Sequence, residues 1–195
     1  MRSLRLLAAL AFALTLGACF PPTTSHPVGA TAVPVPDPAL LGVWKGQRPD
    51  TEGERGAYFH FLARMDGTIT AVMVQTGKEP DGDYAVFTLT TVRLGANRFM
   101  NATLLSSDGK PEDGPHGTVP VLYRIDAKGT LTLFLMDEAA TKAAIKAGKI
   151  KGTVEDGSMG DATITAEPAV LDKFLQSPAG LALFDKPFFA MKKVE

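Results

Sequence analysis

Apolar and polar residues alternate along the middle of the chain. In residues 56–65 the core face is predicted to hold Ala57, Phe59, Phe61, Ala63 and Met65, and the other face Tyr58, His60, Leu62 and Arg64. This period of two is typical of a strand that buries one face. Similar segments follow one another from residue 40 to 136, with turn sequences such as Asp-Gly between them. The pattern predicts an antiparallel up-and-down meander that closes into a barrel or a bent sheet.

The period changes in the C-terminal third. Asp137 is a good cap for a helix over 138–147, and a second helix can open at Pro168. In that helix Val170, Leu171, Phe174 and Leu175 would share the buried face. Two short strands between the helices and a closing strand over 188–194 bring the expected count to nine or ten strands. We therefore predict a mainly β fold with two short helices. The expected core members are Trp44, Phe59, Phe61, Phe87, Leu133 and Phe174.

The N-terminus has the pattern of a signal peptide. Arg2 and Arg5 precede an apolar run from Leu6 to Leu16, and the small residues Gly17 and Ala18 follow. The run is too short for a permanent membrane span, which needs about 20 residues. Residues 1–18 are therefore interpreted as a leader and left out of the fold prediction.

The single cysteine directly follows this leader. Leu16-Gly17-Ala18-Cys19 resembles the lipobox of bacterial lipoproteins. The resemblance implies that Cys19 receives a diacylglyceryl group on its sulfur. It also implies cleavage between Ala18 and Cys19 and acylation of the new amine, for example with palmitate. Two or more acyl chains give stable membrane attachment where one chain is marginal.

The same resemblance carries an expectation about location. In Gram-negative bacteria an aspartate after the lipidated cysteine commonly retains the protein in the inner membrane, and here that residue is Phe20. The chain is thus expected in the cell envelope, on the periplasmic side of the outer membrane if the host is Gram-negative.

A proline-rich segment follows the cysteine. Six of the nineteen residues from Phe20 to Pro38 are proline. Such linkers favour extended polyproline II, so residues 19–38 are predicted to be a spacer reaching up to roughly 60 Å. His26 is then a solvated linker residue, and residues 39–195 form a single β-rich domain.

Composition and motifs exclude several functions. Without Arg2 and Arg5 the 20 basic residues fall to 18 against 21 acidic ones, a net charge near −3. Nucleic-acid binding is not expected, since it calls for a basic excess. No catalytic triad, phosphate loop or metal-ligand spacing is found, so neither enzymatic activity nor a cofactor or metal is expected.

Four other features are candidate contact sites. His60 is interpreted as a surface strand residue, and the acidic loops as ordinary turns. The loop Asp108 to Gly117, with His116, is the best candidate for a contact surface. Lys142, Lys146, Lys149 and Lys151 indicate either a solvated helix face or contact with anionic lipid or peptidoglycan.

Gly42-Val43-Trp44 lies on the first predicted strand of the body. It resembles the Gly-x-Trp of lipocalins, whose tryptophan plugs the closed end of the barrel. The resemblance implies a barrel that holds a small apolar ligand, lined here by Trp44, Phe59, Phe61 and Phe87.

Two functions remain open from the sequence. The first is a lipid-anchored binding module for a small apolar ligand. The alternative is an envelope assembly or structural accessory that acts through protein–protein contacts. A cavity favours the first, and a filled barrel with an exposed apolar patch favours the second.

Overall fold

The computed structural model describes residues 21–47, 56–76, 84–112, 117–155 and 162–194. Its strands are β1 (Thr23–Thr24), β2 (Gly42–Gln47), β3 (Gly56–Ala63), β4 (Ile69–Thr76), β5 (Tyr84–Leu94), β6 (Asn97–Ser107), β7 (Lys110–Pro111), β8 (Val119–Ile125), β9 (Thr130–Leu135), β10 (Gly152–Val154), β11 (Ala162–Ile164) and β12 (Pro187–Lys193). The helices are α1 (Glu138–Lys146), α2 (Pro168–Leu175) and α3 (Pro178–Leu181), with a 3-10 turn at Ala182–Phe184.

Eight antiparallel strands form a closed barrel. Their order is β5-β4-β3-β2-β12-β9-β8-β6, and pairing of β5 with β6 closes the ring. The C-terminal strand β12 completes the wall, because Met191 lies opposite Gly46 of β2 on one side and Leu131 of β9 on the other. The predicted meander and closing strand are confirmed. The structure adds the third short helix α3 to the two predicted.

The barrel wall separates two apolar cores. The inner core lies inside the barrel and includes Trp44, Phe59, Leu131 and Met191. The outer core lies between the helices and the outside of β6, β8 and β9. Because successive strand residues point to opposite faces, a strand buried on both sides loses its alternation. This explains the unbroken apolar pair Phe99-Met100, whose two side chains enter different cores.

A C-terminal lobe formed by residues 137–186 covers the outer core. The side chain of Asp137 accepts the Ala140 N–H at 2.8 Å and caps α1 as predicted. In α2 Leu171 and Leu175 are fully buried, but Val170 is 54% exposed. The expectation that Val170 shares the buried face is therefore wrong. A small sheet of order β1-β11-β10 completes the lobe.

The expected proline-rich spacer is wrong for residues 21–38. This segment, called the strap below, lies along the barrel and is part of the packed body. Val28 is 1% exposed, and Asn101 of β6 binds both its N–H and its carbonyl, at 2.7 and 2.9 Å. The Gly29 N–H donates to the Asp172 carboxylate at 2.8 Å. The predicted domain boundary at residue 39 thus does not separate a free tether from a folded body.

The two ends of the barrel differ in their connections. At one end tight turns join β3 to β4, β5 to β6 and β8 to β9, and the strap crosses there; we call it the strap end. At the other end, the loop end, the chain passes from β2 to β3, β4 to β5 and β6 to β8. Residues 48–55, 77–83 and 113–116 of these connections lie outside the described residues.

Candidate functional site

Trp44 fills the strap end of the barrel. Gly42, with φ of +112°, opens β2, and Trp44 two residues later is only 2% exposed. Its indole N–H donates to the Leu40 carbonyl at 2.7 Å, which satisfies the polar atom of a buried aromatic ring. The Lys193 ammonium lies 5.7 Å from the indole ring centroid, within the range of a cation–π contact.

A carboxylate of the strap seals this end further. Asp37 accepts a hydrogen bond from the Tyr123 hydroxyl at 2.8 Å and pairs with Arg98 at 3.4 Å. Burial, together with the Asp37 carboxylate, raises the pKa of the Tyr123 phenol well above its usual value. The phenol therefore stays protonated and keeps donating to Asp37 at neutral pH.

Aromatic rings occupy the middle of the barrel. The rings of Phe59 and Phe61 are nearly parallel with centroids 6.1 Å apart, and Phe189 meets Phe59 edge-on at 5.1 Å. Both geometries are favourable for aromatic pairs. Of the residues predicted to line a ligand site, Trp44, Phe59 and Phe61 are thus buried side by side inside the barrel, while Phe87 is partly exposed.

Most of the partly buried residues of the lining lie toward the loop end. Near the strap end Ile69 and Leu131 are fully buried, with no exposed fraction. Leu41 and Ile125 at the strap end are partly buried, and Ala57 near the loop end is fully buried. The other partly buried apolar side chains that pack against this core are Met73, Phe87, Ala102, Val119, Leu135 and Phe188, all in the half nearer the loop end. The arrangement presents a closed strap end and an apolar, partly accessible lining toward the loop end.

A second concavity lies outside the barrel, between the strap and the wall. It is a cleft of about 90 Å³ lined by strap residues from Pro27 to Pro34, by Thr90, Thr91 and Val92, and by Asn101. The sequence does not predict this cleft, because the proline content of the strap indicates a free spacer rather than a packed segment. The apolar residues of the strap gave no usable signal, since Val28 is buried whereas Val33 and Val35 are 82% and 67% exposed.

The polar candidates are dispersed. His60 is exposed on the outer face of β3, as predicted, and Lys146, Lys149 and Lys151 are exposed on the lobe. Lys142 instead pairs with Glu138 one turn earlier on α1. At the start of the predicted contact loop, Asp108 accepts the Tyr84 N–H at 2.9 Å. His116 and the predicted processing site at Ala18 and Cys19 lie outside the described residues.

The described part of the chain contains no group of three metal-ligating side chains placed to hold an ion. Within the same ranges, every helix is too short or too polar to span a membrane. Among the described residues the interior of the barrel is lined mainly by aromatic and aliphatic side chains, and its titratable side chain Tyr123 is bound to Asp37 at the strap end.

Comparisons with protein-family models, with curated proteins and with solved structures found no match to this chain.

Proposed function

We propose that this protein is a lipid-anchored, non-enzymatic binding module of the cell envelope that holds a small apolar ligand in its barrel. The observation that carries the proposal is the graded burial of the lining, complete around Trp44 and partial around Phe87 and Val119. An apolar ligand gains about 25 cal/mol for each Å² that it removes from water. Closed barrels of eight strands can hold one small ligand.

Native mass spectrometry of residues 21–195, isolated gently from the periplasm of the native host, tests this proposal. The strap is retained because it packs against the barrel. Excess mass that disappears on denaturation is the expected result. It would be accompanied by binding of a fluorescent polyene fatty acid used as a probe.

A matched pair of variants locates the binding. Ala102 lies inside the barrel and is partly buried, whereas Ala190 points outward from β12. Ala102→Phe should fill the accessible lining and weaken probe binding at least tenfold, while Ala190→Phe should leave it unchanged. An apo mass together with no probe binding by the unmodified protein would contradict the proposal.

A second candidate function rests on the outer face of β3, β4 and β5. Leu62, Val74 and Tyr84 are 43%, 39% and 39% exposed there, and only the far end of β5, at Val92 and Leu94, packs against the outer core. Such a face favours an assembly accessory that contacts another envelope protein. Crosslinking in native membranes should then capture one partner with the unmodified chain and lose it with Val74→Lys. Capture that survives this substitution would contradict the second candidate.

A further inference from the structure

The first residues of the strap are held firmly in the body. Thr24 is completely buried, and its backbone exchanges two hydrogen bonds with Thr118, at 2.8 and 3.0 Å. Thr23 pairs with Thr163 of β11, and Pro22 before it is also buried. The strap is therefore held to the body from Pro22 to Asp37, by contacts at Thr24, Val28 and Asp37.

The fixed point lies at the rim of the barrel. Thr118 directly precedes Val119, the first residue of β8 and one of the partly buried lining residues of the loop end. Val119 pairs with Ala102 on β6, another residue of that lining. The strap thus begins beside the accessible end and runs toward the strap end, where Asp37 meets Tyr123.

The distance to the predicted anchor is short. Cys19 precedes Pro22 by three residues, and an extended chain spans at most about 11 Å over three residues. A lipidated Cys19 would place the bilayer surface within that distance of the loop end. The chain cannot extend over the roughly 60 Å expected from its proline content, because residues 22–38 are packed against the body.

We propose that lipidation of Cys19 holds the loop end of the barrel against the bilayer, so that the barrel takes a lipid acyl chain directly from the membrane. This inference rests on the proposed function and names its ligand class and source. Exposing an acyl chain to water costs about 0.8 kcal/mol for each CH₂. A partly buried apolar lining held at the bilayer surface would shorten the aqueous path and lower this barrier.

The orientation can be measured on the full-length lipidated protein. Once Cys19 is lipidated the mature chain has no other cysteine, so one introduced thiol can be labelled selectively. Lys110 at the loop end and Lys128 at the strap end are both exposed, which makes Lys110→Cys and Lys128→Cys a matched pair. Each variant is labelled with a fluorophore and reconstituted into zwitterionic phosphatidylcholine vesicles that carry a nitroxide on the headgroup.

We expect at least threefold stronger quenching of the label at residue 110 than at residue 128. Insertion of twenty Gly and Ser residues between Phe20 and Pro21 should abolish this difference while leaving lipidation, read by mass, intact. Equal quenching at the two positions in the unextended protein would overturn the inference. Recovery of non-lipidated protein from a host that processes lipoproteins would also overturn it.

The Ala102→Phe variant separates this inference from the proposed function. It should keep the quenching difference but lose the transfer of a fluorescent phosphatidylcholine from vesicles to the barrel. Transfer by unmodified protein without a quenching difference would leave a binding module that does not face the membrane. A quenching difference without lipid transfer and without probe binding would instead contradict the proposal that the barrel holds an apolar ligand.

Discussion

At the scale of single residues, Asn101 joins the strap to the barrel. Its side-chain oxygen accepts the Val28 N–H, and its amide donates to the Val28 carbonyl and to Thr90. The side chain is 5% exposed, so these bonds are formed away from water. The Asn101 side chain thus forms with the strap the paired N–H and carbonyl hydrogen bonds that a neighbouring strand forms elsewhere in a sheet.

Replacing this amide should destabilise the protein. Asn101→Ala leaves a buried N–H and a buried carbonyl of Val28 without partners, and each unsatisfied group costs about 1–3 kcal/mol. We expect the free energy of unfolding to fall by about 2–4 kcal/mol, measured by urea titration with the fluorescence of Trp44, the only tryptophan. Ser106→Ala on the same strand is the control and should change it by less than about 0.5 kcal/mol. Equal losses in both variants would show that the Val28 contacts contribute nothing.

The raised pKa of Tyr123 predicts how the free energy of unfolding changes at alkaline pH. Burial first, and the bond to Asp37 second, raise its pKa above the usual value of 10.0. Above pH 10 the unfolded chain loses the phenol proton while the folded chain keeps it, so stability falls as pH rises. The loss should approach about 1.4 kcal/mol per pH unit relative to Tyr123→Phe, which has no proton to release.

Urea titrations of both proteins from pH 8 to 11.5 measure this difference. The unmodified protein should be more stable below pH 9, because the phenol donates to a carboxylate. Its advantage should shrink once the pH exceeds 10. Parallel pH profiles for the two proteins would be inconsistent with a raised pKa at Tyr123.

At the scale of elements, the strap behaves as part of the core although its composition is that of a linker. Val28 packs with Phe99 and Leu122 in the outer core, and Asp37 accepts a hydrogen bond from Tyr123 of the inner one. The strap therefore connects the two cores across the barrel wall. Proline fixes its backbone before folding, which lowers the conformational entropy that docking must overcome.

Removing the strap should weaken the whole domain. A fragment of residues 39–195 loses the burial of Val28, the partners of Asn101 and the bond between Asp37 and Tyr123. We expect it to be less stable than residues 21–195 by more than about 3 kcal/mol. Thermal and urea unfolding by circular dichroism compare the two fragments. Coincident transitions would restore the interpretation of residues 21–38 as a spacer.

Local sequence patterns predicted the strands but not the strap. Alternation in β3 follows from local geometry, so Ala57, Phe59 and Phe61 were correctly assigned to the interior. The same assignment is wrong for Ala63 and Met65, which are exposed because β3 ends at Ala63 and the chain turns into β4. The strap depends on contacts distant in sequence, such as Val28 with Asn101 and Gly29 with Asp172. The local alternation of apolar and polar residues gives no information about such contacts. Likewise, the accessible part of the lining depends on where the strap closes the barrel, which the strand pattern alone does not specify.

At the scale of the whole molecule, the lobe and the strap make the barrel asymmetric. The lobe covers the outside of β6, β8 and β9, whereas β3 and β4 keep outward side chains such as Leu62 and Val74 in contact with solvent. The strap closes one barrel end and starts at the other. A single attachment point near its start would therefore fix which end faces the membrane.

The attachment itself provides the last prediction. Cys19→Ala keeps the apolar leader but removes the only sulfur that can accept a diacylglyceryl group. We expect this variant to accumulate as an uncleaved precursor, while the unmodified chain loses residues 1–18 and gains the mass of its acyl chains. Mass spectrometry of the membrane fraction measures both changes. Cys19→Ser serves as a second variant of nearly the same size and should behave like Cys19→Ala.

If either variant were still cleaved before residue 19 and still sedimented with membranes, the lipobox interpretation would be wrong. The barrel would then have to reach its ligand without an anchor beside its loop end.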